Sequence, residues 1–344
     1  MIPSAGAALD PGGMYDAIRS FPQHLSEGRA LASRVDPLLS SRNANAVVVT
    51  GMGGSAIGGD LLRALCLSKS HVGVHVVRGY SLPAFVGEAT IVLVSSYSGD
   101  TEETLSAIED ATSRRARIAC IAAGGEVERQ ARRLNLPLYE LPGGLQPRAA
   151  LGYSLAAMLT FAEQIDLLSI GAESWEDAIS MLEAASAEWS SEVPNPARDL
   201  AQSLLGKLPF IYSGGDLMEP VATRWCCQFA ENAKVLAHTN RFPELNHNEI
   251  MGWEHAGELH RQIGVVALRD RLDHPRVRRR IELTRQLLES KAGCWLDVES
   301  RGGSELARML SLAHLGDWVS LYLAFLQKVD PTPINLIRQL KAGL

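Results

Sequence analysis

AVVVT at positions 46–50 breaks off into Gly51-Met-Gly-Gly-Ser-Ala-Ile-Gly-Gly59, and a helical pattern takes over at 60–67. A short run without polar alternation is buried on both faces, as in a parallel sheet clad by helices. The unit recurs. Apolar runs at 72–77, 90–95, 117–122 and 136–141 read as strands, and 102–112 and 149–168 read as helices. An amphipathic helix at 173–188 leads to a polar, proline-bearing stretch, SSEVPNPARD at 190–199, which reads as a boundary. The alternation then restarts: a strand at 208–213, Gly214-Gly215-Asp216, and a helix at 219–232. Strands follow at 234–237, 263–269 and 294–298, with helices at 277–290 and 305–326. Asp330-Pro-Thr-Pro333 is expected to open a last helix, with Pro333 in its first turn and Thr332 or Asp330 as its cap. The pattern predicts an α/β chain: an N-terminal domain over 1–170 with a leading helix at 15–34, a connection over 171–200, and a C-terminal domain over 201–344. Two related sheets are expected to pack with a cleft where both glycine turns open.

Composition narrows the chemistry. With a net charge of −6 there is no basic footprint for nucleic acid. Apolar runs such as 89–95 fall short of the ~20 residues of a spanning helix, so none is expected. Asp10, Asp16 and Glu27 stand where a signal peptide would be basic and then apolar, so none is expected either. Five cysteines (66, 120, 226, 227, 294) without metal spacing read as reduced, buried thiols of a cytoplasmic protein.

Two segments carry ligand chemistry. The glycines at 51–59 let a backbone approach a ligand, and the following helix offers N–H groups to an anion. Gly51, Gly53 and Ala56 fit the loose dinucleotide fingerprint, but the acidic residue expected ~20 positions on is missing; Arg78 ends the second strand instead, which leaves NADP open, and the lack of Gly-Lys-Ser/Thr disfavours a nucleotide triphosphatase. A plain tight turn stays open as a reading. The second segment, Ser96-Tyr97-Ser98-Gly99-Asp100-Thr101, follows an apolar strand and opens a helix. A helix cap explains one hydroxyl, not three, whereas a phosphate uses all three together with the helix amides. A nucleophilic serine would sit in Gly-x-Ser-x-Gly, which this turn lacks.

SSYSGDTEET is similar to the phosphate-binding signature of the sugar isomerase (SIS) domain. GMGGSAIGGD, SYSGDTEET, QPRAALGYS and ENAKV…FPELNHNEIMGW together resemble the bifunctional phosphoglucose/phosphomannose isomerase family, over about residues 47–341. The resemblance implies two SIS-type, flavodoxin-like α/β/α domains with mainly parallel sheets. It implies interconversion of glucose 6-phosphate or mannose 6-phosphate with fructose 6-phosphate through a cis-enediol(ate), with no metal or other cofactor. It also implies a homodimer.

The family's roles fall on named residues here. Glu231, in Ala230-Glu-Asn-Ala-Lys234, matches the proton shuttle, and His247 matches a ring-opening histidine supplied by the neighbouring subunit. Arg148 matches an arginine that stabilises the enediolate. Lys341 matches a lysine on a C-terminal helix that closes over the cleft, and Thr332 is the nearest match to a threonine before that helix. Gly54, Ser55, Ser96, Ser98 and Thr101 match the substrate-binding positions. Where the family often has Gly-Gly-Ser-Gly, this chain has Ala56 in the last place. Structural alternatives exist for each: an exposed helix-end glutamate, a capping histidine, a surface ion pair, a solvated lysine, an N-cap threonine. His238, Glu249 and His255 rival His247 for that role, with scaffold or rim positions as their plainer reading; a metal site built from all four is a further reading, but their spacing is not that of a His-Glu-x-x-His zinc site. A non-catalytic sugar-phosphate sensor is the competing function; it has no need of Glu231 and His247.

Overall fold

The computed structural model describes residues 8–255 and 257–344. The chain divides into two units: Ser20–Ile179, and Ser180–Leu344 together with the segment that ends at Arg19. Helix α1 (Met14–Arg19) therefore belongs with the C-terminal unit, and the leading helix expected at 15–34 is two helices. Tyr15 explains the assignment. Its ring packs edge-on to Trp318 at 5.2 Å and its hydroxyl donates to the Ser190 carbonyl at 3.2 Å.

The first unit holds α2 (Phe21–Ala32), β1 (Ala46–Thr50), α3 (Gly53–Cys66), β2 (Val74–Val77), β3 (Thr90–Ser96), α4 (Glu102–Ser113), β4 (Arg117–Ala122), α5 (Gly125–Arg133), β5 (Leu138–Glu140) and α6 (Leu151–Gln164). Its five strands are all parallel, in the order β2-β1-β3-β4-β5. The central strands β1 and β3 are buried at every position, as their unbroken apolar sequence requires. Helix α7 (Ala172–Trp189) crosses the boundary between the units. Ala56 lies inside α3, where alanine is the best helix former, so the departure from the family's glycine needs no positive φ.

The second unit continues with α8 (Pro196–Leu204), β6 (Leu208–Ser213), α9 (Glu219–Gln228), β7 (His238–Arg241), α10 (Glu258–Arg261), β8 (Ile263–Arg269), α11 (Pro275–Leu288), β9 (Cys294–Glu299), α12 (Glu305–Leu326) and α13 (Asn335–Ala342). Its sheet is again parallel, in the order β7-β6-β8-β9. The strand expected at 234–237 lies instead at His238–Arg241, because a further helical turn (Phe229–Ala233) extends α9. Thr332 and Asp330 do not cap the last helix. Its N-cap is Ile334, and the Asp330 carboxylate instead accepts from the Thr332 N–H at 2.8 Å.

α12 is buried from Leu306 to Ala324 and packs on α1, α8 and α9. Contrary to expectation, it is long and apolar enough to cross a membrane, yet here it is the core of the unit. The sequence hides this because Arg308, His314 and Asp317 interrupt the apolar run. Each has a partner inside the fold: Arg308 with Asp270, Asp317 with Arg224, and His314 Nε2 with the Trp318 indole N–H at 3.1 Å. Burial pulls His314 down to about 3, so it stays neutral. Among the cysteines, Cys66 and Cys120 are buried as expected, whereas Cys227 is exposed.

Candidate active site

In a doubly wound sheet, ligands bind beyond the carboxyl ends of the strands where the strand order reverses. In the first unit that point lies between β1 and β3, and both motifs leave the sheet there. Ser96 and Thr101 bring their hydroxyls within 3.2 Å of each other, and the Gly99 N–H donates to Ser96 Oγ at 3.1 Å. Thr101 occupies the N-cap of α4 without capping it, so its hydroxyl stays with Ser96. The Tyr97 N–H donates to Ser55 Oγ at 3.3 Å, which ties the serine turn to the glycine loop. Ser98 is exposed, and its Oγ accepts weakly from the Asp100 N–H at 3.4 Å.

Gly99 cannot be replaced in this turn. Its φ is +76°, and a Cβ would lie 1.9 Å from the Gly124 carbonyl oxygen. Arg148 is buried on a short turn (Pro147–Ala149) pressed onto the first loop, where a Cβ on Gly54 would stand 2.9 Å from the Pro147 carbonyl oxygen. Sequence reasoning missed Tyr97. Its hydroxyl donates to the Pro142 carbonyl at 2.8 Å and accepts from the Leu145 N–H at 3.1 Å, anchoring the chain that leads to Arg148. A lone buried aromatic between two serines was the available signal. The structure thus brings Gly54, Ser55, Ser96, Ser98, Thr101 and Arg148 to one end of one sheet. Arg78, the residue that leaves NADP open as a ligand, is engaged by Asp60.

The equivalent point of the second sheet lies between β6 and β8, and here the glycine turn is not open. The Asp273 side chain fills it: a Cβ on Gly214 would fall 2.2 Å from Asp273 Oδ2. That oxygen also accepts from the Asp270 N–H at 2.9 Å. Burial pushes the Asp273 carboxyl from its ordinary 3.8 up to about 6; the Asp270 N–H bond opposes this, the Asp270 charge adds to it, and Arg269 and Arg278 oppose it. Between about pH 4 and 6 the folded chain keeps a proton that the unfolded chain has released, so stability falls as pH rises through that window and stays lower above it. Asp273→Asn should abolish this slope and stabilise the protein at pH 7 by on the order of 2 kcal/mol. Urea unfolding at pH 4 and pH 7 measures it, and an unchanged difference between the two refutes it.

The remaining candidates stand on the second unit. Glu231 lies half-buried on the π-helical turn Phe229–Ala233. It lines a groove of about 510 Å³ with Lys234, Leu236, Pro333 and Ile334. Lys234 closes the turn with φ +58°, and its ammonium donates to the carbonyls of Glu231 and of Pro333, the latter at 2.8 Å. The groove thus joins Glu231 to the chain just after Thr332, while Thr332 itself packs against Gly12. Lys341 is exposed on α13 and is not among the walls of the groove.

His247 is exposed at the end of a 3₁₀ turn (Glu244–His247) whose neighbours are fastened. Leu245 is buried, Asn246 donates to Thr284 Oγ1 at 2.9 Å, and Asn248 donates to Glu244 at 2.7 Å. Glu249 has a structural role. It accepts from Tyr212 at 2.6 Å, Asn240 at 2.5 Å and His238 at 2.9 Å. Burial pushes its carboxyl up, but these bonds outweigh it and hold the group below its ordinary range. Its oxygens are engaged, and His238 is drawn to it. Among the described residues, no three His, Cys, Asp or Glu side chains are grouped to hold a metal ion.

Residues 194–344 match the family described as the bacterial phospho-glucose isomerase C-terminal SIS domain. Over 334 residues the chain is 40% identical to a bifunctional phosphoglucose/phosphomannose isomerase of Caldicellulosiruptor bescii, covering 96% of this chain and 98% of that one. The chain belongs to the bifunctional phosphoglucose/phosphomannose isomerase family. A second member, from Aquifex aeolicus, is 36% identical over 87% of this chain and 90% of its own. The fold is also that of the C-terminal domain of glucosamine-fructose-6-phosphate aminotransferase from Francisella tularensis, with a TM-score of 0.73 at 13% identity over 93% of this chain and 98% of that one. This family member is therefore an isomerase acting on a small sugar phosphate, built on SIS-type parallel sheets.

Proposed function

We propose that the enzyme interconverts glucose 6-phosphate and mannose 6-phosphate with fructose 6-phosphate by proton transfer through a cis-enediol(ate). The observation that carries this reading is the cradle at the end of β3. The Ser96 and Thr101 hydroxyls meet there at the start of α4, with Ser98 exposed in the same turn, and a helix N-terminus with hydroxyls beside it suits a phosphate monoester. Arg148, a permanently charged planar donor against the glycine loop at Gly54, suits the oxyanion that develops when C2 loses its proton. Glu231 takes that proton and returns it to C1. His247, presented on a fastened turn, exchanges a proton with the ring oxygen of a sugar bound to a second copy of the chain. Lys341 assists that ring opening. A chain that sediments as a monomer while fully active would reject the role of the second copy.

The direct test uses glucose 6-phosphate deuterated at C2. Proton transfer releases part of the label to water during conversion, whereas a hydride shift delivers all of it to C1. Complete retention at C1 at every extent of reaction would reject the enediol route.

The cradle has its own test. A lost hydrogen bond to a charged group costs about 1.5–3 kcal/mol. Ser98→Ala, in the exposed member of the triad, should raise KM about 10-fold or more with a smaller effect on kcat. An unchanged KM in the folded variant removes Ser98 from the phosphate site.

A further inference from the structure

Glu231 does not sit on an ordinary helix. α9 runs regularly to Gln228 and then widens into the single π-helical turn Phe229–Ala233 that carries the carboxylate. Such turns are rare and concentrate at functional sites. What holds this one is a set of polar bonds to one face of α12. Gln228, just before the turn, donates to Asp317 Oδ1 at 2.8 Å. Arg224, one turn earlier, donates to Asp317 Oδ2 at 2.8 Å. Asn232, next to Glu231 within the turn, donates to Ser320 Oγ at 2.9 Å, and that hydroxyl donates to the Asp317 carbonyl at 2.7 Å. Asp317 and Ser320 are three residues apart and share a helix face. All five side chains are at most 3% exposed.

Burying an ion pair and two amides between helices adds little to stability, because apolar residues of similar volume do as well or better. What the polar set adds is one fixed geometry. With Asn232 drawn inward to Ser320, the adjacent Glu231 is left facing the groove.

We propose that Asp317 and Ser320 are positioning residues: through Gln228 and Asn232 they fix the π-helical turn and so aim the Glu231 carboxylate. This rests on the reading of Glu231 as the proton shuttle. Misplacing a reacting group by about 1 Å can cost about 10²-fold in rate.

The experiment compares Glu231→Gln, Ser320→Ala and Asn232→Leu in the full-length enzyme. The leucine keeps the buried volume filled, so it decides the question if Ser320→Ala does not fold. Each folded variant is assayed for kcat, KM and exchange of the C2 proton of glucose 6-phosphate in heavy water. The expected result is that Glu231→Gln abolishes exchange, while the other two lower kcat and exchange together by about 10- to 100-fold, with KM within about threefold. A merely structural role would lower the unfolding temperature and leave kcat and exchange within twofold. That outcome, with Glu231→Gln inactive, overturns the positioning role alone. Near wild-type exchange in Glu231→Gln overturns the proton-shuttle reading and this inference with it.

Discussion

The Glu231→Gln enzyme should turn over at least 10²-fold, and up to about 10⁴-fold, more slowly than the parent while binding sugar phosphate almost as well. Glutamine keeps the size of the side chain but cannot take a proton from carbon. The serine turn proposed to hold the phosphate belongs to the other unit, so the change alters none of its residues. Glu244→Gln is the control, since Glu244 carries the same group in the nearby 3₁₀ turn and accepts from Asn248. The measurement is C2-proton exchange in heavy water together with kcat and KM. Exchange near the parent rate in Glu231→Gln would place the base elsewhere. A loss of affinity matching the loss of rate would mean that Glu231 binds substrate rather than acting as base.

Arg308→Met should be among the most destabilising single changes outside the site. Arg308 is 2% exposed on α12 and donates to both oxygens of Asp270, at 2.9 and 3.2 Å, and to the Gly303 carbonyl at 2.7 Å. Asp270 is 5% exposed and also accepts from Ser300. Methionine fills much of the space but strands a buried carboxylate, at a cost of about 3–5 kcal/mol. For a protein of this size that corresponds to a fall in unfolding temperature of roughly 5 °C. The double variant Arg308→Met/Asp270→Leu removes both charges and should recover much of the loss. A single variant that unfolds within 2 °C of the parent, or a double variant less stable than the single, would contradict this account.

The strands at the centre of each sheet were legible because burial on both faces leaves an unmistakable apolar run. The same reasoning failed at β7. His-Thr-Asn-Arg is a polar edge strand with no such run, and the apolar residues just before it belong to the end of the widened helical turn and the link that follows. The serine turn was legible because three hydroxyls exceed what a cap can use. Tyr97 was not, since its work is a pair of hydrogen bonds to residues more than forty positions away. Nor was the place of α1, which depends on Tyr15 meeting Trp318 across the length of the chain. The glycine turn at 214–215 promised a second opening by pattern alone. Only the fold reveals that the loop after β8 sends a carboxylate into it.

That carboxylate has a consequence for stoichiometry. The two sheets share a wiring plan, and each reverses its strand order once, at the point where ligands bind in folds of this type. In the second, Asp273 is a ligand the chain carries with it. A tethered group competes at an effective concentration in the millimolar range or above. It is moreover an anion, and so repels the phosphate that a crevice of this type would otherwise attract. The pseudo-repeat is therefore unequal by construction, and a calorimetric titration with sugar phosphate should saturate at one equivalent per chain rather than two.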